Sequence, residues 1–214
     1  MNNNSEYVIR QEQPADFFAV ENLTREAFWN VYRPGCLEHY VLHCYRADSG
    51  FIPELSLVLE QDGELLAHVM FAWSKILVDA DSLKHAGEDL KMMTFGPISV
   101  RPDMQRKGIG KMLLDYALQL AQKMGGGCVA MCGNIQFYGK CGFVVATSKG
   151  IRYAEDPEGD APYFLIRELT PGFLDGVHGS YRDPEAYFVS DSLAEEFDKQ
   201  FPAKEKLVLP GQLQ

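Results

Sequence analysis

The sequence predicts an α/β domain built on a mixed β-sheet flanked by helices, and three observations carry that reading. Residues 92–100 (MMTFGPISV) are apolar and read as a buried strand. After a basic, glycine-containing turn, Ile109, Met112, Leu113, Tyr116, Ala117 and Leu120 recur at helical spacing. A second apolar run, residues 128–132 (CVAMC), follows that helix and reads as the parallel strand completing a right-handed βαβ unit. Upstream, alternating runs at 55–60 and 64–78 flank Asp62-Gly63, a strong two-residue signal for an antiparallel hairpin.

The remaining elements follow in order. Residues 7–10 read as a first strand. Pro14 opens a helix to about Phe28, with Phe17, Val20, Leu23, Ala27 and Phe28 on one stripe. Pro34-Gly35 breaks it, and residues 36–46 form a second helix with Leu37, Tyr40, Val41 and Cys44 inward. Its other face carries Cys36, His39 and His43 at spacings of three and four. Two imidazoles four apart can share a metal ion, but no third ligand is in place, so these read as ordinary surface or pocket-lining residues and no metal is expected. Ala67, Val69, Phe71 and Trp73 share one face of the long strand, and residues 79–89 read as loop. Gly125-Gly126-Gly127 stops the helix that begins near Ile109. Residues 133–142 read as a short helix or turn, with strands near 143–146 and 162–169. Pro171-Gly172 marks a boundary, giving a domain over 6–169 and an extension over 170–214. The extension packs on the domain or forms a homodimer interface. Ser192 and Glu195 suggest a capping box for a helix ending before Pro202.

Composition narrows the function. The 214 residues suit one domain with an extension, and 46% hydrophobic content is ample for a core. Twenty Lys and Arg against 30 Asp and Glu give a net charge of −10. That argues against a nucleic-acid partner and would suit a cationic acceptor such as an amine, although solubility is the simpler reading of it. Five cysteines with no CxxC suggest neither a disulfide framework nor a zinc ribbon. MNNNSEYVIR has no apolar core of a signal peptide, and the apolar stretch at 65–73 is too short to span a bilayer. A soluble, cytoplasmic protein with no membrane partner is expected.

The junction between the 92–100 strand and the following helix is a physically sound anion site. The first N–H groups of a helix lack internal partners, and its dipole adds positive charge there. Gly108 and Gly110 let a phosphate approach the backbone, while Arg106, Lys107 and Lys111 add full charges. Two well-known phosphate loops do not fit. A P-loop needs Ser or Thr after Gly-Lys, and Met112 follows Lys111; a dinucleotide fingerprint needs a small residue where Leu113 stands.

What remains is Gln105-Arg106-Lys107-Gly108-Ile109-Gly110, after a strand ending Ile98-Ser99-Val100-Arg101-Pro102. This resembles motif A of the GNAT superfamily of N-acetyltransferases. Asn134, Tyr138 and Gly142-Phe143 resemble its motif B. The Asn-to-Tyr spacing is shorter than in many members and is similar to a bacterial branch with a compact F-Y-x-x-x-G-F. That departure bears on Asn134 more than on Tyr138. The resemblance spans about residues 7–169.

The resemblance implies a GNAT-like fold with a central, partly splayed mixed sheet, and transfer of an acetyl group from acetyl-CoA to a small-molecule or peptide amine. It implies that Gln105, Arg106, Lys107, Gly108, Ile109, Gly110 and Lys111 hold the pyrophosphate, that Ser99 and Val100 pair with the pantetheine arm, and that Asn134 lines the CoA site. The backbone amide of Ile98, beside the Gly96-Pro97 interruption, would face the developing oxyanion. Tyr138 would protonate the leaving thiolate; the competing reading is an aromatic that packs the short helix and binds CoA without proton transfer. The general base stays open. His68 is one candidate against an ordinary sheet histidine, with Glu60, His39, His43 or water as others. Trp29, Tyr32, Tyr40 and Tyr45 flank the region where this family often builds its acceptor pocket. Two alternatives remain at this point: an acyltransferase using a longer acyl-CoA, and a non-catalytic acyl-CoA-binding module.

Overall fold

The computed structural model describes residues 6–212; residues 1–5, with the Asn2–Asn4 run, lie outside the described part. In chain order the elements are β1 (Val8–Gln11), α1 (Phe17–Phe28), α2 (Glu38–Tyr45), β2 (Phe51–Gln61), β3 (Glu64–Val78) and β4 (Asp89–Val100). Then come α3 (Ile109–Lys123), β5 (Cys128–Cys132), α4 (Ile135–Tyr138), β6 (Val144–Val145) and β7 (Ile151–Tyr153). The last are β8 (Phe164–Glu168), β9 (Gly179–Tyr181) and α5 (Asp191–Asp198). Among the described residues no helix is long and apolar enough to cross a membrane.

The chain forms two compact units, and β3, β4 and α3 contribute residues to both. The first comprises residues 6–70, Gly96–Leu113 and residues 185–212. Its strands follow the order β1-β2-β3-β4. β1 pairs antiparallel with β2, from Val8↔Glu60 to Gln11↔Leu57. The hairpin between β2 and β3 turns at Asp62 and Gly63, both with positive φ (54° and 81°), as a type I′ turn requires. Pro14 opens a 3-10 turn over Pro14–Asp16 rather than the α-helix itself, and Asp16 accepts from Arg10 at 2.6 and 3.0 Å.

The second unit comprises Phe71–Phe95 and Leu114–Pro184. Its strand order is β3-β4-β5-β8-β6, with β9 pairing both β3 and β7. β4 and β5 run parallel with Met93↔Val129 and Thr94↔Ala130 in register, while β5 and β8 run antiparallel. Parallel and antiparallel pairs therefore share one mixed sheet. Its core joins Ile76, Met92, Ala130, Phe164, Ile166 and Tyr181, all fully buried. Large apolar side chains such as Ile76, Met92, Phe164 and Ile166 are each worth about 1.5–3 kcal/mol of burial.

Three expectations need correction. The buried stripe of α3 is Ile109, Leu113, Leu114, Ala117, Leu118 and Ala121, whereas Met112 and Tyr116 are exposed. The stripe is rotated because leucines on its flank win the core. On α2 the buried residues are His39, Val41, Leu42 and Tyr45, so His39, expected on the outer face, lies inside. The cause is the chain's last segment, whose Phe197 and Phe201 rings lie 5.5 and 5.6 Å from the His39 ring. Finally, α5 starts at Asp191 after Ser190, not at a Ser192 box, and the three-residue strands β7 and β9 had no counterpart in the sequence reading.

Candidate functional site

In the first unit, β4 delivers the chain into a short, exposed turn before α3. Arg101 N–H donates to the Leu66 carbonyl at 2.8 Å, and the Arg101 guanidinium grips Asp103 at 2.7 and 3.1 Å. Gln105 Nε2 donates to the Val100 carbonyl at 3.1 Å, closing the turn on the strand it left. Arg106 and Gly108 then adopt left-handed backbone, with φ of 62° and 87°. Nothing lies within 4 Å of a Cβ built at Gly108, so backbone conformation, not space, calls for glycine there.

The Gly108 carbonyl accepts the Met112 N–H at 3.0 Å, the first helical bond of α3. The N–H groups that open the helix have no carbonyl one turn earlier to bond, so they face the turn along with the positive end of the helix dipole. Left-handed residues interspersed with ordinary ones also form the kind of concavity that binds anions. Gln105, Arg106, Lys107 and Gly108 are exposed, Gly110 and Lys111 are half-buried, and Ile109 is buried as the anchor of α3. The Lys107 ammonium rests 3.5 Å from Met104 Sδ.

In the strand itself Ile98 and Val100 are half-buried while Ser99 is buried. The Ser99 hydroxyl is 3.0 Å from Thr24 Oγ1 of α1, so its side chain fastens β4 to α1 and only its backbone remains for other pairing.

In the second unit, Tyr138 ends α4 in an aromatic cluster. Its ring centroid lies 5.9 Å from Phe95, 4.8 Å from Phe137 and 5.9 Å from Phe143. A Cβ at Gly133 would collide with Tyr138 Cε2 and stand 2.6 Å from Met131 Cε, so only glycine lets the ring lie against the end of β5. Asn134 serves the structure directly, because its Oδ1 accepts the Gln136 N–H at 2.8 Å and caps α4.

The base candidates separate by environment. His68 is fully buried, with Nε2 3.2 Å from Ser56 Oγ and 3.8 Å from Glu12 Oε1, and its Nδ1 has no hydrogen-bond partner among the described residues. Burial opposes ionisation of Glu12, but His68 and Arg46 outweigh it and hold the carboxyl down at about 2. Glu60 is paired with Arg10 at 2.8 Å. His39 is kept neutral by burial, which lowers it to about 4, and its Nδ1 is 3.3 Å from Cys36 Sγ. His43 Nδ1 meets Glu21 at 3.0 Å. Among the described residues no group of three or more His, Cys, Asp or Glu side chains could hold a metal ion.

Of the aromatic residues flanking α1 and α2, Trp29 donates Nε1–H to the Glu205 carbonyl at 2.9 Å and stacks on the Arg25 guanidinium at 4.2 Å. Tyr40 packs on Phe197 with ring centroids 5.1 Å apart, Tyr45 is buried and meets Tyr187 edge to face with centroids 6.1 Å apart, and Tyr32 is exposed. Residues near the chain's end therefore pack against Trp29, Tyr40 and Tyr45 but leave Tyr32 exposed.

One cluster escaped the sequence reading. Tyr153 and Tyr181 donate their hydroxyl protons to the two oxygens of Asp183, at 2.6 and 2.9 Å, and the Cys132 thiol meets the same Tyr153 hydroxyl. Cys132, Tyr153 and Asp183 stand 21 or more positions apart, so no local spacing could have announced the group.

Fold and turn together define a mixed α/β protein whose strand–loop–helix junction is an exposed, basic turn with left-handed backbone at Arg106 and Gly108. Residues 17–143 match the sequence profile of the acetyltransferase (GNAT) family, and the chain belongs to that family. The uncharacterized N-acetyltransferase YhbS of Escherichia coli strain K12 is 25% identical over 172 residues, covering 80% of this chain and 93% of that protein. The crystal structure of YhbS from Escherichia coli in complex with CoA superposes with a TM-score of 0.73 at 23% identity, covering 87% of this chain and 94% of that one. A GNAT family acetyltransferase from Brucella melitensis in complex with acetyl-CoA gives 0.67 at 24% identity, covering 86% and 100%.

Proposed function

We propose that this chain transfers the acetyl group of acetyl-CoA to a primary amine by direct attack. The observation that carries the reading is the exposed turn before α3, where Arg106 and Gly108 take left-handed backbone and the Gly108 carbonyl accepts the first bond of the helix. Such a turn suits a pyrophosphate, which its backbone amides would bind whatever the side chains of Arg106, Lys107 and Lys111 add. Similar structures carry CoA or acetyl-CoA, which supports the choice of ligand.

In this reading the half-buried edge of β4 at Ile98 and Val100, with the Ser99 backbone, pairs with the amides of the pantetheine arm as an added strand would. The Ile98 N–H stabilises the oxyanion that forms when the amine attacks the thioester carbon. The C–N bond forms, the C–S bond breaks, the thiolate takes the Tyr138 proton, and the proton shed by the acylated nitrogen restores the Tyr138 phenol. Asn134 acts on the ligand through the α4 it caps. His68, enclosed by Ser56 and Glu12, acts as a positioning group for those two residues rather than on substrate. Residues 170–214 act as part of the domain, supplying β9 and the segment that clasps α1.

Calorimetric titration with acetyl-CoA, ATP and NAD tests the ligand, and thiol release over a panel of polyamines, aminoglycosides, amino acids and peptide N-termini tests the reaction. The reading expects binding of acetyl-CoA alone and turnover with an amine. Binding of ATP or NAD in preference to acetyl-CoA would overturn it.

A further inference from the structure

We infer that Asp183 is the general base that takes the proton from the acceptor's ammonium group, working on the face of β5 opposite Tyr138. The inference rests on the acetyl-transfer reading above and supplies the role that reading leaves empty.

The geometry follows from strand alternation at the end of β5. Met131 reaches toward the Tyr138 ring, with both within 2.6 Å of a Cβ built at Gly133. The next residue, Cys132, must point to the other face. That face belongs to Cys128 and Ala130, packed with Phe164, Tyr181 and the partly buried Tyr153. There the Cys132 thiol meets the Tyr153 hydroxyl, which donates to Asp183 Oδ2 at 2.6 Å. The end of β5 thus carries a phenol on one side and a carboxylate on the other. A thioester lying across that end would meet a proton donor where its sulfur leaves and a proton acceptor where the amine enters.

The surroundings of Asp183 suit a base. Two neutral hydroxyls hold it, from Tyr153 and Tyr181, rather than a cation that would pin it in the ionised form. The neighbouring Arg182 is drawn to Glu155 at 3.0 Å. Burial, aided by the Glu155 charge and opposed by the two hydroxyls, raises the Asp183 carboxyl above its ordinary value. That makes it a stronger proton acceptor than a free aspartate, as a base for an ammonium must be. Desolvation and the adjacent Asp183 charge push the Cys132 thiol up to about 12. The protons balance in two transfers: one ammonium N–H proton passes to Asp183 and is later released to water, and the freed lone pair forms the C–N bond as the C–S bond breaks. Tyr138 protonates the departing thiolate, and the second N–H proton leaves the acylated nitrogen to restore the Tyr138 phenol.

The test compares wild type with Asp183→Asn in thiol release from acetyl-CoA, using primary alkyl amines and, separately, hydroxylamine, which is already uncharged at neutral pH. Alkyl-amine turnover should fall about 100-fold or more, the usual worth of a positioned base, while hydroxylamine turnover and acetyl-CoA affinity change by no more than about threefold. Asp183→Glu, which keeps a carboxylate, should recover part of the loss. Equal losses with both nucleophiles, or no loss, would overturn the base role while leaving acetyl transfer standing. If Asp183→Asn does not fold, the wild-type pH profile decides: an acid limb centred above the ordinary aspartate range supports the role, and a flat profile through that region overturns it. Failure of wild type to bind acetyl-CoA at all would overturn the acetyl-transfer reading, and this inference with it.

Discussion

Arg25 of α1 donates two hydrogen bonds to Asp198 at the end of α5, at 2.6 and 3.1 Å, with its side chain wholly withdrawn from water. A third bond reaches the Pro202 carbonyl at 3.0 Å. A buried guanidinium that loses its hydrogen-bonded carboxylate is poorly compensated, with only the half-exposed Glu26 carboxylate left at 3.6 Å, so Arg25 depends on a residue 173 positions away. Asp198→Ala should therefore cost about 3–5 kcal/mol, read as a drop in the urea midpoint. The double variant Arg25→Met/Asp198→Leu should be much closer to wild type, because it removes both charges. A single variant as stable as the double one would show that the pair does not hold the segment.

The same segment sets an acid response. His39 lies against Phe197 and Phe201, and burial lowers it from 6.5 to about 4. Between those values the unfolded chain binds a proton that the folded chain does not, so stability falls as pH drops from 6.5 toward 4. The shift corresponds to about 3 kcal/mol at most. His39→Gln should flatten the fall across that window in pH-dependent urea unfolding; an unchanged slope would mean His39 is not its source.

Glu12 acts in a lower window. Its carboxyl is held at about 2 against an ordinary 4.5, so the stability it contributes is complete above 4.5 and is lost as pH falls toward 2. Glu12→Gln should lower stability at neutral pH and remove that component of acid unfolding. It also leaves Arg46 without the carboxylate it meets at 2.6 Å.

Tyr138→Phe should keep the ring packing with Phe95 and Phe143 and leave acetyl-CoA affinity within about twofold, while lowering turnover about 100-fold, as expected on losing a positioned proton donor. Gly133→Ala should also lower turnover, by a different route: a methyl there collides with Tyr138 Cε2 and displaces the ring. Unchanged turnover in Tyr138→Phe would remove the proton-donor role and leave Tyr138 a packing residue.

How legible each part was depends on how local its causes are. Asp62-Gly63 announces its hairpin because both turn residues need positive φ, and the long strand ends where its pattern does. The turn before α3 is equally local: one glycine at 108 and a cluster of cations within a few residues. The inner face of α2 was misread because His39 is buried by aromatic residues near 200, which no window around position 39 contains. Strands β7 and β9 have three residues each, too few for a periodic signal, and pair across the chain from Ile151↔Gly179 to Tyr153↔Tyr181. Asp183 was invisible for the same reason. Its meaning comes from Tyr153, Tyr181 and Cys132, which the fold assembles and the local sequence does not.

The central claim is that the amides opening α3 receive the pyrophosphate of acetyl-CoA. It is tested most directly by following the backbone N–H resonances of Gly108, Ile109, Gly110 and Lys111 in a nuclear magnetic resonance titration with acetyl-CoA, repeated with inorganic pyrophosphate. These four amides should move together, saturate with acetyl-CoA, and respond in the same direction to pyrophosphate. Saturating acetyl-CoA that perturbs resonances elsewhere but leaves these four unmoved would contradict the claim.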